Sequence, residues 1–203
     1  MSAYLGPIHY WLYNKIKWQE ALTQEILCFA QGKGNTSLSF ALNEKYASLP
    51  TESLEESINT SNIHGWLQEK VDLVERRFAF VVEALLADCF ISLDELLEVT
   101  KNFGSSHSEL TSATTAPEAY QYLNNQLLDG MPCDHVNSLT SSSEEQVIWT
   151  RTRQIHTSYW SEASNAKQLY DLLRNALVEG MITPTSLEFL VKEENVFEIR
   201  RRA

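Results

Sequence analysis

Three histidines stand where imidazole chemistry could be done. His9, His64 and His156 each follow an isoleucine, and each belongs to a stretch whose apolar residues recur with helical period. Neutral imidazole is a metal ligand. Three of them around one ion leave a coordination position open, an arrangement common for catalytic zinc and compatible with iron or manganese. Burial near a helix N-terminus favours the neutral ring, because desolvation and the helix dipole both disfavour imidazolium. The turn Met131-Pro132-Cys133-Asp134-His135 adds a thiol and a further imidazole, so Cys133 and His135 are additional candidate ligands if that turn folds over the site. The competing reading is that a His on an apolar helix face is a core residue, hydrogen-bonded to a carbonyl or a Tyr hydroxyl.

A repeat gives the histidines a common setting. Ile8-His9-Tyr10-Trp11-Leu12 recurs as Ile63-His64-Gly65-Trp66-Leu67, and at the same offset Lys15 meets Lys70 and Glu20 meets Glu75. A fainter third copy opens at Ile155-His156. On a helix, positions i, i+7 and i+11 lie within about 20° of one another. His9 therefore shares a stripe with Ile16 and Glu20, His64 with Val71 and Glu75, and His156 with Trp149, Ala163 and Lys167. A duplicated helix start could equally preserve a cap or a packing feature. Glu20, Glu75 and Lys167 fall about 16 Å along their helices from the His layer, too far to share its ion. They form a candidate internal polar layer, or a pair of carboxylates with raised pKa doing acid–base work. Trp11, Trp66, Trp149 and Trp160 read as core or as the wall of a ligand pocket.

The elements that must position these groups read as helices throughout. Long helical patterns cover residues 6–31, 63–89, 117–128 and 144–179, with Gly32, Gly130 and Gly180 as stops. Shorter helices are expected over residues 38–47, 93–101 and 186–191. Capping-box spacing recurs at Ser53-x-x-Glu56, Ser92-x-x-Glu95, Ser142-x-x-Glu145 and Thr185-x-x-Glu188. Residues 105–115 and 138–143, rich in Ser and Thr, read as loops. The expected fold is all-α: one domain, residues 1–203, built as a four-helix-bundle-like core with short helical crossovers and a weak internal repeat.

This pattern of long helices with His9, His64 and His156 facing inward from three of them resembles the DinB-like and hemerythrin-like metal-binding bundles. The resemblance implies a helical bundle holding a metal ion. Those families pair His with His or Glu four residues later, whereas Tyr13, Gln68 and Trp160 stand at those places here. What carries over is a mononuclear divalent site.

Composition narrows the alternatives. Sixteen basic residues against 27 acidic give a formal net charge of −11, which argues against nucleic acid and against an anionic membrane surface. No apolar run is long enough to span a bilayer and no leader pattern opens the chain. Three cysteines imply no disulfide framework and a reducing cytoplasm; Cys28 and Cys89 read as small buried hydrophobes. The tail Ile199-Arg200-Arg201-Arg202 reads as a solvated end. No phosphate-cradling loop, nucleophile elbow or Cys-x-x-Cys is present. The expected function is binding of one divalent ion (iron, zinc or manganese). The alternatives are a non-catalytic protein-interaction scaffold, or a bundle taking a small organic ligand of haem type.

Overall fold

The computed structural model describes residues 4–161 and 165–202. It is 57% helical but carries a four-stranded antiparallel sheet, so the fold is mixed α/β and not all-α. Among the described residues the α-helices are α1 (Pro7–Gly32), α2 (Leu38–Lys45), α3 (Leu54–Ser57), α4 (Ile63–Ala87), α5 (Leu93–Ser106), α6 (Ala116–Gln126) and α7 (Ala166–Ile182). Strands β1 (Asn137–Ser142) and β2 (Gln146–Arg151) precede α7, and β3 (Leu187–Glu193) and β4 (Val196–Arg201) follow it. The strand order is β1-β2-β4-β3.

The correction falls where a helix was expected over residues 144–179. Its first part is strand β2, in which Val147, Trp149 and Arg151 are buried and the residues between them are half-buried. That is a period of two, and Val147, Ile148 and Thr150 are β-branched, suited to a pleated surface. Helix begins only at Ala166; residues 162–164, including Ala163, lie outside the described residues. The Ser-rich stretch read as a loop is the edge strand β1, bulged between Leu139 and Ser141. The expected helix at 186–191 is β3, and the expected solvated tail is β4, whose Ile199 is fully buried. Asn195, at φ 64, turns one strand into the other, a conformation Asn tolerates better than most residues.

The capping boxes at Ser53 and Ser92 do start helices, and Thr115 with Glu118 forms another. Thr185 instead ties a turn, donating to the Ile182 carbonyl and accepting from the Leu187 amide. Ser142 ends a strand.

Helices α1 and α4 run parallel, which brings the two Ile-His starts to one end. Between their N-terminal halves lies a smaller core of Leu12, Ile16, Leu67, Val71 and neighbours. The larger core joins their C-terminal halves to α5, α6, α7 and the inner face of the sheet. On that face an apolar row crosses all four strands, Leu139, Trp149, Phe197 and Val191, with Trp149 against Tyr120 of α6. Helices α5 and α7 cross at Gly104 and Gly180, where a Cβ would run into the Leu177 and Lys101 carbonyl oxygens. Among the described residues no helix is long and apolar enough to cross a membrane.

Candidate functional site

The three sequence-selected histidines separate into two places. His9 and His64 meet at the parallel helix starts, ring centroids 5.8 Å apart and edge to face. His156 is elsewhere. Its Nδ1 lies 3.0 Å from Oε1 of Glu75, eleven residues and about 16 Å along α4 from His64. No single ion can be reached by all three. The expectation fails because His156 does not open a helix at all; it sits in the connector after β2, just before a 3-10 turn, Thr157–Tyr159.

His9 has a local role. Its Nδ1 accepts the Gly6 amide at 2.9 Å and so caps the start of α1, satisfying one of the amides a helix leaves without partners. The lone pair at Nδ1 is then engaged, and the proton of the neutral ring is on Nε2. His64 is exposed in the first turn of α4, where Asn62 provides the cap through the Gly65 amide. Met131 packs against the smaller core, but Cys133 and His135 are exposed on the 3-10 turn Pro132–Asp134 and at its left-handed end. Among the described residues no group of three His, Cys, Asp or Glu side chains is placed to hold a metal ion.

What does assemble is a sealed charge cluster around His156. The ring is fully buried, and both nitrogens face carboxylates: Nδ1 faces Glu75, and Nε2 lies 3.6 Å from Oδ1 of Asp129, in the segment after α6. A carboxylate only accepts hydrogen bonds, so a proton on Nδ1 is bonded to Glu75, while Nε2 faces the Asp129 charge from just beyond hydrogen-bond distance. The face of the ring stacks on Tyr170 of α7, centroids 4.0 Å apart and planes 14° from parallel. One turn on, Arg174 donates to Oδ2 of Asp129 at 2.9 Å and to the Tyr170 hydroxyl at 3.2 Å. Asn137, the first residue of β1, donates to the same Asp129 oxygen at 2.7 Å. Asp129 therefore ties α7, the sheet and the His156 connector together.

The charges explain the titration of each group. Burial opposes a proton on His156, but the Glu75 charge and then Asp129 outweigh it, so its pKa is raised above the ordinary imidazole value. Burial would likewise raise Asp129, yet Arg174, His156 and Lys15 hold its carboxyl far below the usual range. Lys15 of α1 is the cation left over. It is buried, its Nζ lies 3.9 Å from the centre of the Trp11 ring, and burial brings its pKa down to about 8 despite Asp129.

Sequence reasoning found His156 and Glu75 but assigned them to different layers. It missed Asp129, Tyr170, Arg174 and Arg77, none of which sits in a recognisable motif. The one available signal was Tyr170 and Arg174 at helical i, i+4 spacing on an apolar face. The expected inner layer of Glu20, Glu75 and Lys167 is also taken apart. Glu20 accepts a forked bond from the buried Arg77, Glu75 serves His156, and Lys167 pairs with Asp171 and Glu194 near the surface. Cys28 and Cys89, expected to be buried, are exposed. Trp149 and Trp160 are core; Trp11 and Trp66 are partly buried.

No protein family, curated protein or solved structure is detectably similar to this chain.

Proposed function

We propose that this chain is a non-catalytic scaffold: a helical body and a small sheet, locked together by an internal charge cluster, that holds surfaces for a protein partner. The observation that carries the reading is the enclosure of His156. Nδ1 is hydrogen-bonded to Glu75, Nε2 faces Asp129 at 3.6 Å and one face of the ring is covered by Tyr170, so this imidazole is spent on internal contacts. A general acid or base needs an edge within reach of its substrate. Here each edge reaches a different structural element.

The three exposed, unpaired thiols, Cys28, Cys89 and Cys133, are in keeping with a reducing, cytoplasmic setting. The acidic balance of the chain favours a partner with basic character.

The test is His156→Gln, followed by thermal and urea unfolding near neutral pH with and without added zinc, iron(II) or manganese. The scaffold reading expects a loss of about 3–5 kcal/mol, the cost of breaking one side of a buried ion pair, and no response to metal in the wild type. A metal-dependent rise in Tm, abolished by His156→Gln, would overturn it.

A further inference from the structure

The connector from β2 to α7 lies along one side of α4 and is pinned there at four points. Its residues 156–161 meet Glu75, Asp72, Phe78 and Glu83, which fall on neighbouring turns of that helix. His156 bonds Glu75 at 3.0 Å, and the Tyr159 hydroxyl donates to Asp72 at 2.7 Å. Trp160 packs on Phe78, ring centroids 5.9 Å apart, and the Ser161 amide donates to Oε1 of Glu83 at 2.7 Å. Three of the four α4 contacts are carboxylates, and among residues 156–161 His156 is the group that can meet them with a full charge.

The same segment is also where buried polar atoms go without partners. Among the described residues these include the Trp160 Nε1, both amide atoms of Gln154 and the Nε2 of His156. Each buried donor without an acceptor costs about 1–3 kcal/mol relative to water. Opening the connector would return these atoms to solvent. The closed state is thus held by charge against a standing polar cost, the balance expected of a segment that opens locally before the fold does.

From this juxtaposition we propose that residues 152–161 form a strap over α4 that is closed by the His156 cation and released when His156 loses its proton, uncovering Trp160, Phe78 and the acidic side of α4. The reading rests on the scaffold role of the cluster and adds its regulation. The groups facing His156 set the direction. Glu75 from α4 and Asp129 from the segment after α6 favour the cation; Arg174 of α7 and Lys15 of α1 oppose it from behind Asp129. Tyr170 covers the ring, and Arg151 of β2 is occupied by Asp171. With the proton gone, one ring nitrogen turns a lone pair toward a carboxylate, and the strap loses its charged pin.

Hydrogen exchange on the full chain, corrected for intrinsic rate, tests this through the amides of Tyr159, Trp160 and Ser161. In the closed strap these are bonded to the His156 carbonyl, the Thr157 carbonyl and Glu83. Protection of the three should fall about tenfold for each pH unit through the His156 titration, and at every pH it should lie below that of amides in the middle of α1 and α4, which open only with the whole fold. Trp160→Phe, which removes an unpartnered donor without emptying the site, should raise strap protection at every pH. Strap protection that stays constant with pH, or that equals that of the middle of α4 at every pH, overturns the strap. Unchanged global stability in His156→Gln would instead defeat the scaffold reading, so the two failures are distinct.

Discussion

Glu75 and His156 are 81 residues apart in sequence and 3.0 Å apart in space. Their contact links α4, a helix whose start repeats that of α1, to a connector belonging to the sheet. Because Asp129 faces the other side of the ring at 3.6 Å and also accepts from Arg174 and Asn137, the charge on one imidazole bears on helix, sheet and connector. Stability should therefore answer to that charge.

For His156 the folded pKa lies above the unfolded one. Its contribution is complete below about pH 6.5, the unfolded value, and is lost as pH rises through the folded value. Urea unfolding of the wild type should show this decline on the alkaline side. Glu75→Gln should flatten it, since the charge that raises the pKa is gone. A decline of the same size in Glu75→Gln would show that another group is responsible.

Lys15 has the opposite sign. Its folded pKa of about 8 lies below the unfolded value of about 10.4, so the buried cation costs stability below about pH 8 and the cost disappears as pH climbs to about 10. Lys15→Met keeps an unbranched side chain of similar length and removes the charge that lies over the Trp11 ring. It should stabilise the protein by about 1–3 kcal/mol at neutral pH, with the gain shrinking toward pH 10. A destabilising Lys15→Met would mean that the ammonium is needed to balance Asp129.

Arg77 and Glu20 form a second buried pair. Nε and Nη2 of Arg77 reach the Glu20 carboxylate at 2.9–3.1 Å, and Nη1 meets the Tyr46 and Ala47 carbonyls. Arg77→Met strands a carboxylate and two carbonyls, at a cost of about 3–5 kcal/mol. Adding Glu20→Leu should return a good part of that loss, because no carboxylate is then left unpaired. A double variant no more stable than Arg77→Met would assign the cost to the carbonyls alone.

How much of this was legible in the residues can be seen at particular places. The helix starts at Pro7 and Ile63, the stop near Gly32 and the capping boxes at Ser53 and Ser92 depend on local chemistry, and they stand in the structure where that chemistry puts them. The parallel meeting of His9 and His64 follows from a repeat in the sequence. The sheet was missed for a physical reason. β2 is only six residues long, and Trp149, His156, Ala163 and Lys167 fall onto one helical stripe as readily as Val147 and Trp149 onto a strand face. The turn signals that would have decided between them, Ser143-Glu144-Glu145 and Glu194-Asn195, contain no Gly or Pro.

The cluster was less legible still. Asp129 has no periodic company, standing in a short connection, and His156 appeared to share a stripe with residues that belong to a different element. Long-range pairing of a connector with α4 is a product of topology, which spacing along one helix does not encode.

The helix crossing offers a test independent of any charge. Gly104→Ala and Gly180→Ala each push a methyl into a backbone carbonyl of the opposing helix. Each should cost about 1–3 kcal/mol, or more if α5 and α7 must separate. Because the two sites share one interface, the double variant should lose less than the sum. Either single substitution proving neutral would mean that the helices pack less closely than described.

Metal addition separates the sequence-based expectation from the arrangement found. With His9 capping Gly6 and His156 enclosed, His64→Ala and His9→Asn should leave zinc and iron(II) uptake at the level of the wild type. Asn supplies an acceptor for the Gly6 amide, so the cap is retained. Stoichiometric uptake lost in either variant would point to a site at the paired helix starts.

The most direct measurement is the titration of His156 itself, by carbon-detected or proton–carbon NMR of the labelled imidazole in the intact chain, with His156→Gln used to assign the resonance. The cluster predicts a single midpoint above the ordinary value of about 6.5, moved downward in Glu75→Gln, and coincident with the alkaline loss of stability. A midpoint at or below 6.5, unmoved by Glu75→Gln, would contradict the account: the ring would be neutral in the folded protein, and the contacts around it would hold the strap without charge.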